Sequence, residues 1–353
     1  MDVTSVARFA GRGAVALGAV ALGAVAGAIA DRVITRAAPD PHARGDDFHT
    51  VPDRVLSVVA DDGTYLHVEI DEAPADDEDI TIVFAHGYAL NLNSWYFQRA
   101  ALRGRARLVF YDQRSHGRSS RAEFDTHHVE QLGRDLASVI EAVAPTGTLI
   151  LVGHSMGGMT VMAYVSQNPE RVGTRIRGIA LIATTAGGLH ANTLGLPGPL
   201  GRAFQAWGPN VAGLLASRPQ WIDRLQWSTS DIGILLTQLY SFGSAAPGRL
   251  GRFVADMLGG TPIDVVAEFL PALQDHDKRD ALPLMSGAEL LVVCADRDRL
   301  TPKSSSEEIV AVLPHAEFAV IEGAGHMVQL ERPGEVNALL RGFVERVRTL
   351  VTA

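Results

Sequence analysis

Residues 149–158 read Leu149-Ile-Leu-Val-Gly-His-Ser-Met-Gly-Gly158. The apolar run at the start has the character of a strand buried on both faces. It breaks on Gly153-x-Ser155-x-Gly157, and a helical pattern follows from Thr160. Strand, sharp turn and helix form the context in which a Gly-x-Ser-x-Gly turn presents its serine as a nucleophile. The glycines have a steric purpose. A turn this tight strains Ser155, and side chains at 153 or 157 would collide with neighbouring backbone. A helix starting just after Ser155 also aims backbone N–H groups and its positive dipole end at the serine.

Working outward, short apolar strands recur. Val55–Val59 and Tyr65–Ile70 alternate around Asp61-Asp62-Gly63 and predict a β-hairpin. Further strands are expected at 80–85, 108–111, 148–152, 179–183, 290–294 and 318–321. A helix capped by Thr126 should present Val129, Leu132, Leu136, Val139, Ile140 and Val143 on one face and end before Pro145 and Gly147. Strands that are apolar throughout and alternate with helices predict a mostly parallel sheet flanked by helices on both faces. The core is expected over 54–186 and 286–348. Residues 187–285 interrupt it without a convincing strand but with Trp207, Trp221, Trp227 and leucine-rich groups, including Leu214, Leu235 and Leu239. That composition suits an inserted helical lid, which would supply the apolar wall of a pocket.

The N-terminus differs from the rest. Residues 13–27 repeat GAVAL, GAVAL, GAVAG, and eighteen uncharged residues separate Arg12 from Asp31. That length just spans a bilayer as a helix. Twelve of the eighteen are Ala or Gly, so the apolar drive is weak. Three readings stay open for residues 1–30: a membrane anchor, a cleaved signal peptide ending at Ala28-x-Ala30, or a mispredicted start or loosely packed soluble helix. The first two place the protein at a membrane or outside the cell, the third in the cytoplasm. Arginines flank both sides, so orientation is not set. Residues 31–53 are expected to be a linker.

Composition narrows the function. With 353 residues, 47% of them apolar and 20% charged, the chain can bury a large core and falls in the globular class. A net charge of −9 argues against a nucleic-acid partner. Lys278 and Lys303 are the only lysines beside many arginines, a bias of GC-rich bacterial genomes. The single cysteine, Cys294, permits no internal disulfide. His127-His128 invites a metal reading, but no acidic or histidine partner lies at helical spacing on the same face. No cofactor or metal is expected.

From about residue 55 to 345 the chain resembles the α/β-hydrolase superfamily, in its lidded branch of esterases, lipases and peroxidase-like enzymes. The resemblance is carried by His86-Gly87 after the third strand, Tyr111-Asp-Gln-Arg-Ser-His-Gly-Arg-Ser119 after the fourth, Gly153-His-Ser-Met-Gly-Gly158, and Gly325-His326 after the last. Ser115 stands where the family more often has glycine. The family order of nucleophile, acid and base implies His326, in its glycine-rich loop, as the base for Ser155. His154 should point away from Ser155 and pack, and His116 belongs to the loop after the fourth strand. The resemblance implies an oxyanion hole from the N–H groups of Met156 and Tyr88. Tyr88, Leu90, Trp95 and Met156 are candidates for the pocket wall. For the acid, the loop Ala183-Thr-Thr-Ala-Gly-Gly188 carries no carboxylate, which leaves Cys294-Ala-Asp-Arg-Asp-Arg-Leu-Thr-Pro302. Aligned on Pro302, the family pattern Gly-x-x-Asp-x-x-x-Pro implies Asp298 as the acid. Asp296 becomes a loop charge, paired with Arg297 or Arg299.

The expected function is therefore a serine hydrolase acting on a carboxylic ester, with an apolar, lipid-like small molecule favoured by the lid. A cofactor-free haloperoxidase or perhydrolase and a C–C bond hydrolase share the same triad. A non-catalytic receptor on this fold is the remaining alternative. Haloalkane dehalogenases and most epoxide hydrolases of the family place Asp at the nucleophile position, and Ser155 counts against both.

Overall fold

The structure is a computed structural model that describes residues 48, 50–73, 80–189, 241–244 and 248–352. One sheet holds eight strands: β1 (Arg54–Val59), β2 (Tyr65–Asp71), β3 (Ile80–Ala85), β4 (Arg107–Tyr111), β5 (Thr148–His154), β6 (Ile176–Ile182), β7 (Glu289–Ala295) and β8 (Glu317–Ile321). Their order is β1-β2-β4-β3-β5-β6-β7-β8. Both pairings of β2 are antiparallel and all others are parallel. All eight expected strands are present, with ends moved by up to three residues. The largest shift is at β6, where Arg177 and Gly178 interrupt the apolar run. Gly178 is nonetheless a strand residue, paired with Glu289, and a side chain is excluded there because a β-carbon would lie 2.8 Å from Val347 and 3.0 Å from Phe343.

The alternation of strand side chains builds a core on each face. In β5, Leu149 and Leu151 join one apolar cluster while Ile150 and Val152 join the other. The first cluster is covered by α2 (Val129–Val143) and α3 (Met156–Gln167). The second is covered by α1 (Tyr96–Leu102) and the long α8 (Pro333–Thr352). The predicted apolar face of α2 is buried at every one of its six positions. Its cap differs from expectation. His128 is the N-cap, its ring nitrogen accepting from Gln131 N–H at 3.2 Å, while Thr126 closes a short turn by donating to the Glu123 carbonyl at 2.7 Å. Histidine is an uncommon cap, so residue preference pointed two positions too early.

The insertion between β6 and β7 is helical where it is described: α4 (Gly248–Gly260) and α5 (Ile263–Gln274). Trp207, Trp221, Trp227, Leu214, Leu235 and Leu239 lie outside the described residues, as do the apolar segment 13–30 and most of the linker. Among the described residues no helix is long and apolar enough to cross a membrane. After β7 come α6 (Lys303–Val312), β8, the short α7 (Val328–Glu331) and α8.

The strand order decides where a site can form. β3 lies between β4 and β5, so the sheet is wound outward in both directions from it. Loops leaving the carboxyl ends of β3 and β5 therefore diverge and leave a crevice between them. Ala85 is paired with Gly153 at that edge, which puts the His86 loop beside the Ser155 turn.

Candidate active site

Ser155 has φ +52° and ψ −119°, in the left-handed half of the map that L-residues avoid. The surrounding glycines make this possible. A β-carbon on Gly157 would sit 2.0 Å from the Ala85 carbonyl oxygen, and one on Gly153 would sit 2.4 Å from the Gly157 oxygen. Helix α3 begins at Met156, directly after the serine as expected, although glycines at 157 and 158 disguise its first turn. Thr184 holds the turn from behind, its hydroxyl donating to the Ser155 carbonyl at 2.7 Å. The loop that sequence reading dismissed for lacking a carboxylate thus supports the serine.

The structure brings three side chains from three loops into line. Ser155 Oγ lies 2.9 Å from His326 Nε2, and His326 Nδ1 lies 2.8 Å from Asp298 Oδ2. Asp298 and His326 are buried. Oδ1 of Asp298 accepts from the N–H groups of Leu300 at 2.8 Å and Thr301 at 2.9 Å, and the Thr301 hydroxyl donates to Oδ2 at 2.8 Å. Burial pushes this carboxyl upward, but His326 and the Thr301 hydrogen bonds outweigh it and hold it below the usual carboxylate range. Asp296, two residues away, is exposed and accepts from Gly323 N–H at 2.7 Å. Its neighbour Arg297 donates to the Gly243 carbonyl at 3.1 Å. Asp296 therefore braces the loop before His326 from outside.

His154 is fully buried, with Nε2 2.9 Å from the His326 carbonyl and its ring 4.9 Å from the His326 ring. Burial, helped by the nearby His326, pushes its pKa down to about 3, so it is a neutral donor at physiological pH. Packing was expected of it. Holding the backbone of His326 was not, because the contact spans residues 172 apart in sequence.

The loop after β3 is pinned by two more buried histidines. His86 Nδ1 donates to the Gly87 carbonyl at 2.8 Å, and its Nε2 accepts from Gln113 N–H at 2.9 Å. His116 Nε2 accepts from Ala89 N–H at 3.1 Å, and its Nδ1 donates to the Arg114 carbonyl at 2.8 Å. Burial lowers both, to about 4 and about 3, so each keeps one bare nitrogen as an acceptor. Tyr88 sits between these anchors. Met156 N–H is the first of the orphan donors at the start of α3.

The four candidate pocket residues separate. Tyr88 reaches into the lid, its hydroxyl donating to the Val266 carbonyl of α5. Met156 is buried in a cluster with Met159, Val265, Phe269 and Leu273. Leu90 joins Phe242, Leu250, Val254 and Met257 against α4. These three contact the lid helices. Trp95 is fully buried in the core, 5.2 Å from Phe84 and edge-on to His154 at 6.3 Å. Its size and apolar character suited a pocket wall and a core equally, and only the packing separates them.

His127 lies with Nε2 2.8 Å from Ser115 Oγ and Nδ1 2.8 Å from Glu268 of α5. The acidic neighbour of His127 comes from α5 of the insertion. Ser115 has φ +62°, which explains the glycine usual at this position, and its hydroxyl also accepts from Ala122 N–H at 2.9 Å. Among the described residues no group of three or more His, Cys, Asp or Glu side chains is arranged to hold a metal ion.

A sequence family described as the alpha/beta hydrolase fold matches residues 80–333. Over 272 residues the chain is 27% identical to the dihydrolipoyllysine-residue acetyltransferase component of the acetoin cleaving system of Pseudomonas putida. That match covers 75% of this chain and 63% of the relative, so the chain spans less than two thirds of that protein's length. It is 25% identical to 3-oxoadipate enol-lactonase 1 of Acinetobacter baylyi, over 81% of this chain and 95% of that enzyme. Among solved structures, one described as a membrane phospholipase A, a bacterial virulence factor, superposes with a TM-score of 0.63 at 22% identity. It covers 97% of this chain and 99% of its own, a likeness of fold.

Proposed function

The chain belongs to the α/β-hydrolase fold family, and on that premise we propose that it is a serine hydrolase cleaving carboxylic esters through an acyl-enzyme. The observation that carries the reading is the unbroken line from Ser155 Oγ through the His326 ring to Asp298, at 2.9 and 2.8 Å. Neutral His326 donates Nδ1–H to Asp298 and offers Nε2 to the serine hydroxyl. As Oγ attacks the acyl carbon, Nε2 takes its proton, and Asp298 stabilises the imidazolium that results. The carbonyl oxygen becomes an oxyanion held by the N–H groups of Met156 and Tyr88. Each such donor is worth about 10²–10³ in rate. His326 then gives the proton to the departing alkoxide, leaving Ser155 acylated. Water attacks the acyl group with His326 again as base, and the acid leaves with Ser155 restored.

The substrate is an apolar, lipid-like ester. Tyr88, Leu90 and Met156 support this, since each lies between the sheet end and lid clusters made of leucine, valine, methionine and phenylalanine. A fluorophosphonate probe tests the chemistry. Ser155 should be labelled in the folded protein and not after denaturation, and an unlabelled folded protein would refute the reading. Chain-length preference follows from p-nitrophenyl esters of graded length tested on the chain lacking residues 1–45. Medium or long acyl groups should outperform acetate, and a peroxidase-type activity without ester turnover would favour the haloperoxidase alternative.

Residues 13–30 are proposed to hold this enzyme at a membrane. One observation supports it: the segment is long enough to span a bilayer as a helix. The full chain should sediment with membranes and resist high-salt extraction, and the version lacking residues 1–45 should not. Release of the full chain by salt would remove the anchor from the proposal.

A further inference from the structure

His326 sits in a loop, and a base in a loop needs its backbone held. One carboxylate gathers the surrounding chain. Oε2 of Glu331, the last residue of α7, accepts from Gly325 N–H at 2.7 Å and from Gly243 N–H at 3.0 Å. Its Oε1 accepts from Ser244 N–H at 3.0 Å and from the Ser244 hydroxyl at 2.6 Å. Gly325 immediately precedes the proposed base, and Gly243 and Ser244 belong to the insertion between β6 and β7. A single oxygen therefore joins the base loop to the root of the lid.

Other contacts converge on the same knot. Met327 N–H donates to the Ser241 carbonyl at 2.8 Å, on the other side of His326. Arg297, next to the proposed acid, donates its N–H to the Ala324 carbonyl at 3.0 Å and its guanidinium to the Gly243 carbonyl at 3.1 Å. The backbones touch so closely that a β-carbon on Gly325 would lie 2.3 Å from Gly243 N, and one on Gly243 would lie 2.4 Å from the Ala324 carbonyl carbon. No side chain fits between them, so the two glycines are required by the approach itself.

We infer that Glu331 is a positioning residue for His326, and that it ties the register of the base to the lid's attachment. The inference rests on the serine-hydrolase reading. Three backbone N–H groups and a hydroxyl converge on two oxygens, and an ionised carboxylate is the side chain that offers acceptors only. Glutamine has nearly the same shape but must turn its NH₂ toward at least one of those N–H groups, whichever way the amide lies. It would push Gly325 or Ser244 away while leaving packing intact.

The test follows the rate of fluorophosphonate labelling of Ser155 between pH 5 and 9 in the full chain, with Glu331→Gln, Glu331→Ala and the exposed neighbour Glu335→Ala. Circular dichroism and thermal melting establish that each variant is folded. Glu331→Gln should label at least about tenfold more slowly, with a displaced pH midpoint, because His326 no longer lies in line between Ser155 and Asp298. Glu335→Ala should match the wild type in both. If Glu331→Ala does not fold, Glu331→Gln alone decides. A Glu331→Gln chain that labels within twofold of wild type at an unchanged pH midpoint overturns this inference and leaves the hydrolase reading intact. A wild type that is not labelled overturns both.

Discussion

Ester turnover by the Ser155→Ala and His326→Ala chains is expected to fall by about 10⁶-fold each, with the double variant hardly worse than either single one. The non-additivity is the informative part. Ser155 is a poor nucleophile without Nε2 to take its proton, and Nε2 has nothing to activate without Ser155, so removing either removes the same step. The remaining acceleration comes from substrate binding and the oxyanion donors, which neither substitution touches. Neither should unfold the protein. Ser155→Ala keeps a β-carbon at the strained φ of +52° and removes one oxygen. Steady-state hydrolysis of a p-nitrophenyl ester, with melting curves as controls, measures both. Two losses that multiply in the double variant would show that the residues act independently and would refute the shared step.

The second large effect separates two neighbouring carboxylates. Asp298→Asn is expected to cost about 10⁴-fold in kcat, and Asp296→Asn less than about threefold. The orientation of the new amide at 298 is set in advance. Leu300 and Thr301 N–H groups hold the oxygen at the Oδ1 position, so NH₂ falls at Oδ2, facing His326 Nδ1. Nδ1 must then accept, which moves the ring proton to Nε2 and points it at Ser155 Oγ. The base is present, in place and in the wrong tautomer. Asp296→Asn keeps an oxygen for Gly323 N–H and loses only an exposed charge. A larger loss at 296 than at 298 would overturn the assignment of the acid.

Legibility differed by the range of the interaction. The strands were readable because each is apolar throughout, a property that survives any tertiary arrangement. The nucleophile turn was readable because its glycines and serine are contiguous and their clash is local. The N-cap of α2 was misread by two positions, since the ring nitrogen of His128 performs a task more often given to serine, threonine or aspartate. Trp95 is a candidate for the pocket wall in the sequence, and the structure buries it in the core beside Phe84 and His154. Thr184, His154 and Glu331 carried no signal in the chain. Each acts on a residue 29 to 172 positions or a loop away, through a hydroxyl, a ring nitrogen or a carboxylate that looks ordinary in its own segment.

What the amino-acid order determined by itself was the set of strands, the strained serine turn with its glycines, and a short list of carboxylates and histidines near the carboxyl ends of strands. These follow from local sterics and from the burial preference of contiguous apolar runs. Asp296 and Asp298 are both aspartates in one loop, two residues apart, and only the family spacing to Pro302 ranks them in the sequence. What the tertiary structure adds is the physical reason for the difference. The backbone after β7 turns Asp298 inward, where Leu300 and Thr301 N–H groups replace its lost water and His326 meets it at 2.8 Å. It leaves Asp296 outward against Gly323. A buried carboxylate needs such partners to remain charged, and those partners exist only once the loops after β5, β7 and β8 have been brought to one end of the sheet.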